Sequence, residues 1–179
     1  MRILAISGSL RRVSSNTALL RAAARLAPAG MEVVLYGGLG DLPHFNPDLE
    51  EAEPSQVTDL RAQVRSVDGL LISSPEYAHG VPGSLKNALD WVVGTGEFVS
   101  KPVALINTSP RAFHAQASLR ETLTTMSAQV VSDACVELPL LGKKLDVTGI
   151  LADEDIPGVI RAGLIQFAAA IAKEEACHV

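Results

Sequence analysis

The sequence predicts an α/β fold in which an open parallel sheet of five strands lies between two layers of helices. Short apolar runs alternate along the chain with stretches that have the spacing of amphipathic helices. The apolar runs are mostly continuous, which is typical of strands buried on both faces of a parallel sheet. Strict alternation of strand and helix, joined by right-handed crossovers, gives a three-layer sandwich, and five strands suit the order 2-1-3-4-5.

Five strand and helix units follow one another. The strands are predicted at residues 2–7, 32–36, 69–74, 102–108 and 130–138. Helices are predicted at residues 16–27, 54–66, 82–93 and 114–126, and a C-terminal helix carries Ile160, Leu164, Phe167, Ala168 and Ile171 on one face. Residues 37–54, with their glycines, prolines and acidic side chains, are predicted to form a long surface loop.

Length and composition are those of one domain. The chain has 179 residues, of which 47% are hydrophobic, enough for one well-buried core and too few for two. No repeat, low-complexity segment or linker divides it, so we expect a single domain over residues 1–179. The formal net charge is −5, and lysines and arginines are scattered, which argues against a nucleic-acid partner.

The chain ends and the cysteines indicate the compartment. The start MRILAISGS lacks the apolar stretch of a signal peptide, and no later run reads as long and apolar enough to cross a bilayer. A cytoplasmic protein without a membrane partner is expected. Cys135 and Cys177 lie far apart and outside any CxxC pattern, so no disulfide framework is predicted. Cys135 is interpreted as core filling in a strand and Cys177 as a tail residue.

Three chemically unusual loops follow the first, third and fourth predicted strands, at residues 8–15, 75–83 and 109–113. In an open parallel sheet of this order, ligands bind beyond the carboxyl ends of the strands at a topological switch point. These three loops are therefore the predicted functional surface.

The first loop, SGSLRRVSSNT, has the side chains of an anion site. Gly8 permits a tight turn, and Arg11 offers a planar set of donors beside serine hydroxyls at Ser9 and Ser14. Asn16 or Thr17 can cap the following helix, whose N-terminus favours a phosphate. The alternative is that Asn16 caps the helix while Arg11 and Arg12 are solvated.

The absence of two nucleotide-binding motifs limits which phosphate-containing ligands the first loop could bind. The chain has neither GxxxxGK[ST] nor GxGxxG in this loop. A dinucleotide-binding fold has an acidic residue at the end of the second strand to bind a ribose, but the second strand here ends at Tyr36. Asp41 is the acidic residue nearest in sequence that could take that role. A mononucleotide phosphate remains.

The second loop lies in SSPEYAHGVPGSLKNALDW, residues 73–91. Its prolines and glycines fix the backbone, so that successive N–H and C=O groups can face a flat heterocycle while Tyr77 supplies an aromatic edge or face. The alternative makes Tyr77 a surface anchor and Glu76 a solvated carboxylate.

Together, GSLRRVSSNTALL and PEYAHGVPGSLKNALDW resemble the NAD(P)H-dependent FMN reductase family of flavodoxin-like flavoproteins, which includes quinone, chromate and azo-dye reductases. The resemblance extends from the first strand through the fourth helix. It implies a flavodoxin-like fold, FMN as cofactor, NADPH or NADH as hydride donor, and a quinone, flavin or similar small molecule as acceptor. It also implies a homodimer or homotetramer, for which the third helix offers an apolar surface unless these residues face the sheet: Leu85, Leu89, Trp91 and Val92.

The resemblance also implies which residues bind the cofactor. The phosphate positions are Ser9, Arg11, Ser14, Ser15, Asn16 and Thr17. The positions along the isoalloxazine are Pro75, Glu76, Tyr77, Ala78 and Gly80, largely through backbone atoms, with Ser109 and Arg111 in the third loop. No catalytic acid, base or nucleophile is assigned, because the flavin carries the chemistry.

Two departures from the family pattern stand out. Many relatives have asparagine where this chain has Ala78, so a side-chain contact to the flavin or the neighbouring loop is missing. The Gly-Gly pair that many relatives carry after the fourth strand is absent from NTSPRAFHAQASLRETL, which alters the nicotinamide side. Arg111 either pairs with a phosphate of NADPH or covers the site over the flavin.

The four histidines lie on separate segments without metal-ligand spacing, so no metal site is predicted. His79 and His114 both fall in loops predicted to rim one cleft. Either can hydrogen-bond a quinone oxygen or donate a proton to it, or be a solvated surface group.

The sequence also bears on two other functions. A hydrolase is disfavoured, because Ser7 and Ser9 lie at a strand-to-helix turn without a GxSxG motif or a fitting acid and histidine. A flavin-binding electron carrier without its own NAD(P)H reductase activity is the alternative, since the same fold holds FMN for one-electron transfer.

Overall fold

The computed structural model describes residues 1–140, 143 and 146–177. Within them, six strands form one parallel sheet in the order β2-β1-β3-β4-β5, and β6 also pairs with β4. The strands are β1 Arg2–Ser7, β2 Glu32–Leu35, β3 Gly69–Ser73, β4 Pro102–Asn107, β5 Gln129–Val130 and β6 Val136–Glu137. The predicted strand order is confirmed.

Helices cover both faces of the sheet. They are α1 Ser15–Leu26, α2 Ser55–Arg65, α3 Gly83–Val92, α4 Phe113–Thr125, α5 Val147–Ala152 and α6 Ile156–Cys177. The short helix α5 was not predicted; Asp146 begins it by accepting the N–H of Gly149 at 2.8 Å. The predictions for the Cys177 side chain and for His178 fall outside the part of the chain that the structure describes.

The strands divide the core into two halves. Ile3 and Ala5 of β1 pack with α1 and α6 on one face, and the alternate residues Leu4 and Ile6 pack with α2, α3 and α4 on the other. All four side chains are buried, which is why β1 is a continuous apolar run in the sequence. The predicted three-layer arrangement is confirmed.

Two short strands occur where one strand was predicted at residues 130–138. Ser132–Ala134 forms a 3-10 turn, in which the N–H of Cys135 donates to Ser132 O at 3.1 Å. These local bonds use backbone groups that a continuous strand would give to β4. Opposite the interruption, the N–H of Leu105 donates to Cys135 Sγ at 3.4 Å. Cys135 packs against the core as predicted, but it lies between β5 and β6 and not in a strand.

Residues 37–54 are only partly a surface loop. Leu39 and Leu42 are buried in the core on the α3 side. Asn87 Nδ2 and Trp91 Nε1 of α3 both donate to Pro43 O, at 2.9 and 2.8 Å. The loop is therefore fixed to α3 by polar groups that composition alone does not reveal.

The apolar face of α3 points into the molecule. The side chains of Leu85, Leu89, Trp91 and Val92 are at most 2% exposed. The suggestion that they form a surface for a second subunit was wrong, because they are buried in the core half that contains α2, α3 and α4.

Helix α6 is the longest helix in the described residues. By length and composition, Ile156–Glu174 reaches the range of a membrane-spanning helix, so the expectation that no run would do so was wrong on that criterion. Its predicted inner face is confirmed, because these side chains are buried against the sheet: Ile160, Leu164, Phe167 and Ile171. A core helix of this kind meets the same criterion.

Two glycines of α6 give a test of this packing. A Cβ at Gly163 would lie 2.5 Å from Val136 Cγ2 of β6 and 3.3 Å from Ala134 O, whereas a Cβ at Gly158 would meet no atom within 4 Å. Gly163→Ala is expected to lower the free energy of unfolding by about 1–3 kcal/mol through overpacking. Gly158→Ala should raise it by up to about 1 kcal/mol through helix propensity. Urea unfolding of both variants measures the difference, and a gain in stability at both positions would contradict the α6 packing.

Candidate functional site

A cleft of about 390 Å³ lies where the loops after β1, β3 and β4 meet. It is lined by Ser9, Arg11, Ser14, Ser15, Asn16, Pro75, Glu76, Tyr77, Thr108, Ser109, Arg111 and Ala112. The volume is in the range of small-ligand pockets. The cleft also lies at the carboxyl ends of the strands, where an open parallel sheet binds ligands.

All of the residues predicted for the site line this cleft except Thr17, Ala78 and Gly80. Two lining residues were missed. Thr108 was assigned to the end of the fourth strand, and Ala112 carries no chemical signal that a sequence could reveal.

Asn16 joins the start of α1 to two strand ends behind the cleft. Its side chain is buried, and its Oδ1 accepts hydrogen bonds from Ser73 Oγ at 2.9 Å and from Thr108 Oγ1 at 3.1 Å. These bonds tie the first turn of α1 to the ends of β3 and β4. Ser73 Oγ also donates to Ile106 O at 2.9 Å, so its one proton is shared between two acceptors. Because both hydroxyls face the amide oxygen of Asn16, the amide NH₂ group can donate into the cleft that Asn16 lines.

Ser14 caps α1. It has an extended backbone, and its Oγ accepts the N–H of Thr17 at 3.3 Å. The expectation that Asn16 or Thr17 would cap this helix was wrong. The backbone N–H groups of Ser15 and Asn16, the first two helical residues, have no partner within the helix. They lie at the positive end of the helix dipole, in residues that line the cleft.

The loop before α1 is held by its own hydroxyls. Ser7 Oγ lies 2.8 Å from Thr17 Oγ1 and accepts the N–H of Ser9 at 3.3 Å. Ser9 Oγ in turn accepts the N–H of Arg11 at 3.4 Å. Thr17 therefore supports the loop from behind the cleft wall, while Arg11 remains exposed at the cleft.

A second cleft, of about 530 Å³, lies on the other side of Arg11. Arg12 and Arg21 line this second cleft together with Asp146 of the α5 cap, and neither arginine lines the first cleft. Arg11 lines both clefts and Arg12 only the second, a difference that the sequence RR does not reveal.

Residues Tyr77 to Gly80 form a tight hairpin. Tyr77 and Gly80 exchange backbone hydrogen bonds at 3.1 and 2.9 Å, and the two residues between them have positive φ, 49° at Ala78 and 60° at His79. This is the conformation of a type I′ turn, which favours asparagine and glycine. Ala78 therefore occupies a backbone position that strains alanine and favours asparagine or glycine.

Glu76 caps a helix from outside that helix. Its Oε2 accepts the N–H of Ala115 at 2.7 Å, in the first turn of α4, where Ala112 at the N-cap offers no side-chain acceptor. A carboxylate at a helix N-terminus is stabilised by the helix dipole. The alternative that Glu76 is a solvated carboxylate was wrong, since this bond fixes the second loop to α4.

The third loop is a compact polar turn. Ser109 N–H donates to Asn107 Oδ1 at 3.0 Å, Arg111 N–H to Ser109 Oγ at 3.3 Å, and Ala112 N–H to Ser109 O at 3.1 Å. These bonds fix the backbone of the loop, whereas a Gly-Gly pair would leave it more conformational freedom. Arg111 is exposed and lines the cleft.

The rings of His79 and His114 meet two residues along the chain from the lining residues Tyr77 and Ala112, and neither histidine itself lines the cleft. Their ring centroids are 4.4 Å apart, and the His114 ring lies 4.1 Å from that of Phe113. Among the described residues, no group of three or more His, Cys, Asp or Glu side chains is arranged to hold a metal ion.

Comparison with known proteins agrees with this geometry. The family model described as NADPH-dependent FMN reductase matches residues 1–140. An NAD(P)H-dependent FMN reductase of Pseudomonas aeruginosa is 34% identical over 170 residues, which cover 92% of this chain and 91% of that protein. A quinone reductase of Escherichia coli is 36% identical over 140 residues, which cover 74% of each chain.

A solved structure gives the same result. The flavoenzyme NAD(P)H:(acceptor) oxidoreductase FerB from Paracoccus denitrificans superposes with a TM-score of 0.78 at 29% identity, covering 96% of this chain and 97% of that chain. The fold and the cleft define a flavodoxin-like flavoprotein. The chain belongs to the NADPH-dependent FMN reductase family. The resemblance read from the sequence is thus confirmed, and with it an oxidoreductase that uses FMN and NAD(P)H.

Proposed function

We propose that this protein binds FMN in the cleft between the three loops and reduces quinones or free flavin with hydride from NADPH or NADH. One observation carries the proposal: two unpaired helix N–H groups, the Asn16 amide and Arg11 converge on one cleft that also has an aromatic wall. In this proposal residues 1–179 form one cytoplasmic FMN-binding domain that assembles as a homodimer or homotetramer.

The chemistry of the donor set supports a phosphate at the start of α1. A phosphate there accepts from the N–H groups of Ser15 and Asn16 and from the Arg11 guanidinium, with the Ser9 and Ser14 hydroxyls beside them. The helix dipole adds to the attraction. Among the residues that the structure describes, Glu76 is the one carboxylate that lines the cleft, and its Oε2 accepts the N–H of Ala115.

The opposite wall supports a flat heterocycle. Pro75, Tyr77 and Ala112 give the cleft apolar surface, and the hairpin fixes the backbone on which Tyr77 is carried. Aromatic rings stack favourably with an offset on such a face. Ala78 and Gly80 act in this proposal through the hairpin backbone, since their side chains do not line the cleft.

When bound, FMN supplies the redox chemistry by accepting a hydride from NAD(P)H and giving two electrons to the acceptor. The protein contributes binding and orientation. Asn16 and Ser14 hold the α1 amide groups in place. In this proposal Arg111, which lines the cleft, pairs with a phosphate of the nicotinamide nucleotide.

The two neighbouring arginines test the phosphate site. Arg11→Ala removes charge-assisted hydrogen bonds worth roughly 1.5–3 kcal/mol, so FMN affinity should fall about tenfold or more, since about 1.4 kcal/mol corresponds to a factor of ten. Arg12→Ala should change it little, because Arg12 does not line the cleft. Titration of the apoprotein, followed by quenching of FMN fluorescence, measures both. Equal losses would place the phosphate elsewhere.

Direct reduction tests the proposed activity. Anaerobic FMN-loaded protein is mixed with NADPH or NADH, and the flavin absorbance is followed. The proposal expects bleaching by at least one nicotinamide and recovery on adding a quinone, with parallel-line kinetics in the steady state. A Cys135→Ser variant that folds should behave like the parent, because no thiol relay is involved.

The alternative has a distinct outcome in the same experiment. If neither nicotinamide bleaches the flavin while a separate reductase does, the chain is an electron carrier. The compact turn from Ser109 to Ala112 would then be the first place to seek the cause.

A further inference from the structure

Four residues with aromatic or imidazole rings lie in the two segments that border the cleft: Tyr77, which lines it, and His79, Phe113 and His114, which do not. We call them the ring cluster. The His79 and His114 centroids are 4.4 Å apart, and those of Phe113 and His114 are 4.1 Å apart. Tyr77 is 52% and Phe113 62% exposed. Large rings so exposed on a small protein often mark a binding surface.

The fold builds this cluster from two separate loops. His79 has φ 60° and the neighbouring Ala78 has φ 49°. This backbone conformation is unfavourable for residues other than glycine. Such strain persists where the surroundings fix it, and it concentrates at functional sites. The bond from Ala115 N–H to Glu76 Oε2 fixes the start of α4, which carries Phe113 and His114, against the loop that carries Tyr77 and His79.

The cluster is continuous with the proposed flavin cleft. Tyr77 belongs to both, and Phe113 follows the lining residue Ala112 directly. Its charged neighbours in the two loops are Glu76, which is bonded to the N–H of Ala115, and Arg111. The rings of the cluster can stack on a planar ligand, and the imidazole N–H groups can donate hydrogen bonds to it. Both lie next to the cleft in which the flavin would deliver electrons.

We propose that the ring cluster is the acceptor subsite for a planar quinone and that the His79 and His114 pair donates the proton that quinone reduction requires. Reduction of a quinone to a hydroquinone consumes two electrons and two protons. A hydride carries both electrons and one proton to the quinone. The second proton passes from an imidazolium to the quinone oxygen, and water returns a proton to the imidazole. This inference rests on the proposed function.

Matched variants separate ring contact from proton donation. His79→Phe/His114→Phe keeps two rings but no donor, and His79→Gln/His114→Gln removes both rings. His44→Gln is the control, since His44 is an exposed histidine in the loop after β2 and does not belong to the ring cluster. Each FMN-loaded protein is reduced anaerobically with NADPH and then reoxidised by duroquinone or by ferricyanide. Duroquinone is fully substituted, so it does not add to thiols, and ferricyanide accepts one electron without a proton.

Both double variants should be reoxidised by duroquinone roughly a hundredfold more slowly than the parent, the middle of the range for general acid catalysis. Their reoxidation by ferricyanide and the His44→Gln control should stay within about twofold of the parent. Added imidazole should restore part of the duroquinone rate in the phenylalanine pair. An unchanged duroquinone rate, an equal loss with ferricyanide, or no recovery with imidazole would overturn the proton-donor role.

Binding gives a readout that does not depend on turnover. Duroquinone is titrated into the oxidised FMN-loaded protein, which cannot reduce it, and the histidine ring signals are followed by NMR. The signals of His79 and His114 should shift together while that of His44 stays in place. The phenylalanine pair should retain duroquinone binding and the glutamine pair should lose it. No shift of either cluster histidine would overturn the subsite.

The design separates this inference from the proposed function. If NADPH fails to bleach the flavin, the proposed reductase activity fails, and the NMR titration still decides the quinone subsite. If the variants bleach slowly with NADPH but reoxidise normally with duroquinone, the rings serve the nicotinamide and the acceptor subsite is wrong.

Discussion

The site depends on one buried amide oxygen. Asn16 Oδ1 accepts from Ser73 Oγ at the end of β3 and from Thr108 Oγ1 just after β4, so one side chain sets the start of α1 relative to two strand ends. Buried hydroxyls without a partner cost more than a typical hydrogen bond contributes. Since both hydroxyls lie on this one oxygen, the start of α1 is held against the ends of β3 and β4 where the cleft forms.

Around this fixed point the cleft has two different ends. The α1 end presents N–H groups and Arg11, and suits an anion. The hairpin end presents rings and is connected to α4 by Glu76, whose carboxylate is bonded to a helix amide. The Glu76 carboxylate accepts a hydrogen bond from the first turn of α4 and is stabilised there by the helix dipole. An acidic residue can therefore line a cleft that also favours a phosphate. One cleft can thus hold a ligand with a charged tail and a flat head.

The sequence predicted the sheet order because continuous apolar runs and strict alternation leave few topologies. It also predicted most of the cleft lining, because loops after parallel strands converge at one edge. Prediction from the sequence failed where a residue contacts another residue that is distant along the chain. The bond from Ala115 to Glu76 and the burial of Leu42 join segments that no local pattern connects. The prediction of one continuous fifth strand failed for a different reason. Ser132–Ala134 forms its backbone hydrogen bonds within a local turn, although it lies in an apolar run.

The central claim is that the cleft at the start of α1 holds the phosphate of FMN. A crystal structure of the protein with FMN tests it most directly. Phosphate oxygens should lie within hydrogen-bond distance of the N–H groups of Ser15 and Asn16 and of the Arg11 guanidinium, with the isoalloxazine against Tyr77. A phosphate bound instead by Arg12 and Arg21 in the second cleft would contradict it.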